Sequence, residues 1–125
     1  MNSEPTDLNK KDITERTFDE RKILSSSMRQ KYDDRIPIVL NRLKSTDPCA
    51  TQSKFLAPNN TNLTRFSLEV RKHIDVHPGT ALFFLTADKT ILTPSRLMNE
   101  IDQKHRDRDG FLYIYYTTEN TFGWE

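Results

Sequence analysis

The chain has 125 residues, 34% of them apolar and 30% charged, with 19 basic against 18 acidic side chains. That length holds one domain with a modest core, and the near-zero net charge excludes a protein bound to nucleic acid by bulk positive charge. The lone Cys49 excludes an internal disulfide and fits a reducing compartment, no apolar run reaches the about 20 residues of a membrane span, and MNSEPTDLNKKD has no secretory h-region.

Residues 1–16 are polar and read as a mobile N-terminal arm. Thr17, followed three residues later by Glu20, forms a capping box and opens a helix. Its apolar stripe is thin: Arg21, Leu24 or Ser25, Met28 and Tyr32 share one face, and the run Ser25-Ser26-Ser27 lowers its propensity, so it needs tertiary packing. Residues 35–42, RIPIVLNR, alternate as a strand, with Ile36, Ile38 and Leu40 facing inward and Pro37 and Val39 outward. Pro37 cannot donate to a ladder, which places that side at an edge or an exposed surface. STDPCATQS is a loop, and KFLAP at 54–58 is a second strand.

Asn59 to Asn62 are rich in N-cap residues. Leu63, Phe66, Val70 and Ile74 then recur at helical steps as far as His77-Pro78-Gly79. Residues 81–86, ALFFLT, form a third strand, and their unbroken apolarity predicts burial. Residues 94–101 read as a short helix, 107–110 as a turn, and 111–117 as a fourth strand. The order strand, strand, helix, strand, short helix, strand is α+β. It describes a ubiquitin-like β-grasp: a four-stranded mixed sheet with a helix packed on one face, plus an N-terminal helical extension. The expected boundaries are the arm at 1–16, the domain at 17–119 and a flexible tail at 120–125.

The blocks KYDDRIPIVLNR, KFLAPNNTNLTRF, VRKHI, ALFFL and DGFLYIYYTTENTFG, in that order and spacing, resemble the autophagy ubiquitin-like modifiers. These are relatives of the GABA-receptor-associated protein and the microtubule-associated-protein light chains. The similarity runs from about Arg16 to Gly123. It implies a precursor that a cysteine protease cuts between Gly123 and Trp124, after Phe122. The freed carboxylate would pass through activating and conjugating enzymes to phosphatidylethanolamine. Glycine suits this chemistry because, without a β-carbon, it fits a narrow protease slot and a crowded thioester site. While the Gly123–Trp124 bond stands there is no carboxylate to activate.

The resemblance also implies a groove for aromatic-x-x-aliphatic receptor peptides, bound by strand addition. Its aromatic pocket would comprise Met28, Pro37, Val39, Lys54, Leu56 and Phe111. Its aliphatic pocket would comprise Phe55, Ala57, Pro58, Leu63 and Phe66, although Leu63 and Phe66 read equally as core. Arg16, Arg35 and Lys54 would meet acidic flanks. Leu24, Gln52, Glu69 and His73 depart from the usual pattern around these pockets and bear on receptor preference.

The implied protein is not an enzyme. It needs no metal and no cofactor beyond the covalent lipid, and it binds no nucleic acid. It is a monomer before conjugation, cytoplasmic, and on the autophagosome membrane after lipidation. The alternative is an unconjugated peptide-binding adaptor in vesicle traffic or on the cytoskeleton. His73 and His77 stand one helical turn apart, but no third ligand accompanies them. Cys49 has no neighbouring base and reads as an incidental thiol.

Overall fold

In the computed structural model, which describes residues 12–118, the chain forms α1 (Phe18–Lys31), β1 (Arg35–Arg42), β2 (Lys54–Pro58), α2 (Leu63–Arg71), β3 (Phe83–Thr86), α3 (Met98–His105) and β4 (Leu112–Thr117). The strands lie in the order β2-β1-β4-β3. β1 pairs antiparallel with β2 and parallel with β4, and β3 closes the far side antiparallel to β4. This is the mixed α+β sheet that the element order implied.

β1 supplies both faces of the sheet. Ile36, Ile38 and Leu40 join Phe55, Ala57, Phe66, Val70, Ile101 and Ile114 in the main core beneath α2 and α3. Val39 points the other way, into a smaller cluster with Ile13 and Phe111, against which Leu24 and Met28 of α1 pack. The expectation that Pro37 faces an exposed side is therefore corrected: β1 is an interior strand and Pro37 is fully buried. The sheet tolerates proline there because of its register. Leu40 N donates to Ser53 O on the β2 side, 2.7 Å. By the two-residue repeat, the N–H that Pro37 lacks would aim at β4, where pairing starts only at Ile38↔Leu112.

The arm begins its packing earlier than the sequence suggests. Ile13–Glu15 form a 3-10 turn, Ile13 is only 3% exposed, and Arg16 only 8%. Residues 12–16 therefore belong to the folded body.

α1 has the predicted cap. Thr17 Oγ1 accepts from Glu20 N (3.1 Å) and Glu20 Oε1 from Thr17 N (3.0 Å). Its thin apolar stripe is offset by polar docking. Arg21 Nε donates to Asp109 Oδ2 at 2.8 Å, Ser25 Oγ to the Asp109 carbonyl, and Arg29 reaches Asp102 with two bonds of 3.0 and 2.9 Å. Charge-assisted bonds of this kind are stronger than neutral ones. Asp109 is fully buried and also accepts from Phe111 N and the Tyr113 hydroxyl. Burial, and then that bond to Asp109, hold the Tyr113 phenol above its ordinary pKa. Gly110 has φ +94°, and a Cβ on it would overlap Ser25 Oγ, so glycine is what lets this loop meet the helix.

Two helices differ from their sequence-based limits. α2 ends at Arg71 rather than near His77, because Thr51 N bonds His73 O (2.7 Å) and Ala50 bridges Ile74, drawing 73–74 out of the helix. α3 starts at Met98 rather than at residue 94. The Arg96 and Pro94 carbonyls accept from Leu63 N (2.9 Å) and Thr64 N (3.2 Å), so that backbone serves the start of α2 instead. β3 is shorter than 81–86, and it is an edge strand, although Phe84, Leu85 and Thr86 are buried.

Candidate functional site

β2 is the opposite edge of the sheet from β3, and a surface hollow opens on each of its faces. In an extended strand neighbouring side chains alternate faces. Lys54, Leu56 and Pro58 therefore share the α1 face with Pro37, and Phe55 and Ala57 share the α2 face with Ile36 and Ile38.

On the α1 face a hollow of about 520 Å³ is lined by Met28, Pro37, Lys54, Leu56 and Phe111, together with Ile38 and residues 51–53. Five residues assigned to the aromatic pocket from sequence are thus brought together. Val39 is not among the lining residues, because it is buried beneath Ile13 and Phe111. On the α2 face a hollow of about 660 Å³ is lined by Phe55, Ala57, Pro58 and Phe66 of the expected aliphatic set, with Leu56, Arg65, Leu68, Glu69 and Lys72. Leu63 does not line it and is buried in the main core. Phe55 and Phe66 meet edge to face at 5.6 Å and are themselves core residues, so the hollow's floor is the top of the core.

Leu68 was missed by sequence reasoning. It is 56% exposed. The signal was there: an apolar residue off the Leu63/Phe66/Val70 stripe of an otherwise polar helix face. Ser53 and Thr51 were missed because hydroxyls in a loop carry no distinctive pattern.

The edge carries polar groups of its own. Since the bonded pairs of β1 and β2 are Leu40/Ser53 and every second pair from it, the carbonyls of Lys54 and Leu56 point outward. Each is met by a side chain of the same protein. Gln52 Nε2 donates to Lys54 O at 2.7 Å, and Arg35 Nη1 to Leu56 O at 3.2 Å. Arg16 lies nearby. Its Nε and Nη2 are buried and, among the described residues, make no hydrogen bond. Burial first, and then the Arg16 charge, push the Lys54 ammonium below its ordinary pKa. Two buried guanidinium nitrogens without acceptors are costly, and an incoming anion would supply them.

The residues that depart from the family pattern are placed as follows. Gln52 lines both hollows and Glu69 the larger one. Leu24 packs into the small cluster under α1. His73 stacks edge-on against Phe55 at 5.5 Å and its Nδ1 sits 3.3 Å from Thr51 Oγ1. His77 Nδ1 accepts from Gly79 N at 3.0 Å, so the two rings serve separate local structures. Cys49 is an exposed free thiol. Phe122, Gly123 and Trp124 lie outside the described residues.

A four-stranded mixed sheet with parallel central strands and a helix across one face defines a ubiquitin-like fold. The family model described as autophagy protein Atg8, ubiquitin like, matches residues 20–123. An autophagy-related protein 8-like protein of Dictyostelium discoideum is 44% identical over 113 residues, spanning 87% of this chain and 90% of its own. Autophagy-related protein 8 of Mycosarcoma maydis is 38% identical over 110 residues, 87% and 92% of the two chains. The crystal structure of Trypanosoma brucei ATG8 superposes with a TM-score of 0.75 at 30% identity, covering 86% of this chain and 95% of that one. Plasmodium falciparum Atg8, solved in complex with a Plasmodium falciparum Atg3 peptide, also gives 0.75, at 26% identity, with 85% and 94% covered. The chain belongs to the Atg8 family of autophagy ubiquitin-like modifiers.

Proposed function

We propose that this protein is made as a precursor, cut by a cysteine protease between Gly123 and Trp124, and conjugated through Gly123 to phosphatidylethanolamine on autophagosomal membranes. The observation that carries the reading is the extent of the family match, which runs to Gly123 and leaves Trp124 and Glu125 beyond it. The protein supplies the acyl group and the docking surface, while the protease, activating enzyme and conjugating enzyme supply the catalysis. The lipid is a covalent product, and no other cofactor is needed.

Once on the membrane, the protein holds receptor and adaptor peptides at the β2 edge. The geometry supports an aromatic-x-x-aliphatic motif for a simple reason. Side chains three apart in an extended peptide point to opposite faces, and the two hollows lie on opposite faces of β2. Each anchor contributes about 1.5–3 kcal/mol if fully buried. Acidic residues before the motif would approach Arg16, Lys54 and Arg35. The Plasmodium relative's Atg3 peptide supports the conjugating enzyme as one more peptide partner.

The test is the intact mass of the protein before and after exposure to the family's processing protease. Loss of one Trp and one Glu is the expected result. An unchanged mass, with the protease verified on another precursor, would leave an unconjugated peptide-binding adaptor.

A further inference from the structure

Where its ladders with β1 and β3 end, the chain leaves β4 for Gly123. Pairing of β4 with β1 stops at Arg42↔Tyr116, and pairing with β3 stops at Phe83↔Thr117. The next backbone N–H, that of Thr118, lies past both ladders. It donates to Asp47 Oδ1 at 3.1 Å. The same oxygen accepts from Thr117 Oγ1 at 3.0 Å and Thr118 Oγ1 at 3.4 Å.

Asp47 is itself fixed and only 3% exposed. Its Oδ2 accepts from Lys44 N at 2.9 Å, and its own N–H donates to Lys44 O at 3.0 Å. The loop around it is tied to β4 as well, through Leu43 N to Tyr116 O at 2.8 Å and the Tyr116 hydroxyl to Pro48 O. A buried carboxylate is costly unless its lone pairs are filled. Here they are filled by Thr117 and Thr118 at the end of β4 and by Lys44 N.

We propose that Asp47 is a positioning residue for the chemistry at Gly123: by holding Thr117 and Thr118 past the end of both ladders, it fixes the point and the direction from which the chain runs on to Gly123. The inference rests on the processing reading above. Gly123 is five residues from Thr118, a reach of at most about 18 Å. A short tether aims its end well only when its root is fixed, and misplacing a reacting group by about 1 Å can cost on the order of a hundredfold in rate. Asp47 touches no substrate and acts through Thr117 and Thr118.

The experiment follows protease cleavage of the full chain by intact mass, over a range of substrate concentrations. Wild type, Asp47→Ala, Asp47→Asn and Thr117→Val are compared, with affinity for a β2-edge peptide as a check that the body is intact. Asp47→Ala is expected to lower kcat about tenfold, with KM and peptide affinity within about twofold of wild type, because docking of the body survives and aiming of the tail does not. Asp47→Asn should recover most of the rate, since its Oδ1 keeps the bonds to Thr117 and Thr118 and only the Lys44 contact is lost. Thr117→Val should lose about twofold to threefold in kcat. If Asp47→Ala does not fold, Thr117→Val and Asp47→Asn decide, and a wild-type kcat for Thr117→Val overturns the proposal. So does a wild-type kcat in folded Asp47→Ala, or a loss matched by an equal loss of peptide affinity. Wild type left uncut by a verified protease overturns the processing reading and this inference together, whereas wild type cut as fast as folded Asp47→Ala overturns only the inference.

Discussion

The β2 edge and the far end of β4 are built on opposite plans. At β2, Leu56 and Pro58 stay half open, and the outward carbonyls of Lys54 and Leu56 carry bonds from the protein's own Gln52 and Arg35 that an incoming strand can displace. At the end of β4, a buried carboxylate takes three bonds on one oxygen and leaves little to exchange. A surface that must accept many peptides is held by weak, replaceable contacts. A root that must aim one glycine is held by a buried cluster.

The largest expected effect concerns where the docking edge becomes core. Phe55 is buried at 7% exposure and packs on Phe66, so Phe55→Ala should cost about 3–5 kcal/mol in chemical denaturation. A cost below about 1 kcal/mol would return Phe55 to the surface side of the comparison. Next comes the wall of the smaller hollow. Arg21→Met leaves the buried Asp109 without its guanidinium and should lower the unfolding midpoint, by less than Phe55→Ala does. Because α1 also carries Met28, the same variant should weaken the peptide's aromatic anchor more than its aliphatic one, as read by alanine-substituted peptides. Equal weakening of both anchors would mean that α1 does not shape the aromatic side.

Leu56→Ala is the clean probe of the edge, since Leu56 is half-buried and outside the core. It should raise the Kd of a receptor peptide about tenfold by calorimetry and leave the unfolding midpoint nearly unmoved. Unchanged affinity would remove the smaller hollow from the binding site. The smallest effect is Gln52→Ala. It frees the Lys54 carbonyl for an incoming strand and should tighten the same peptide about twofold, a fraction of one net hydrogen bond. Weaker binding instead would show that Gln52 contacts the peptide rather than guarding the edge.

The limits of β1 and β2 were legible in the sequence, where alternation is strong and turn residues bracket each strand. The faces were legible as well: Leu56 with Pro37, Phe55 with Ala57. What could not be read were effects that arise only in three dimensions. The end of α2 depends on a bond from Thr51 to His73, and the start of α3 on carbonyls used by Leu63 and Thr64. Val39 looked like pocket because nothing in the arm marks Ile13 as its cover. Leu63 read equally as core and as pocket, and the packing of Met98 and Ile101 around the same core makes it core. Asp47 sits in a loop that reads as plain turn, and its partners are 70 residues away.

The most direct measurement compares two peptides on wild-type protein by calorimetry. One has its aromatic and aliphatic residues three apart, the other two apart, with the same composition and acidic flank. Strand addition with hollows on opposite faces predicts that the two-apart peptide binds about tenfold more weakly or worse, since both its anchors then point to one face. Equal affinity would contradict the account of how this edge reads its partners.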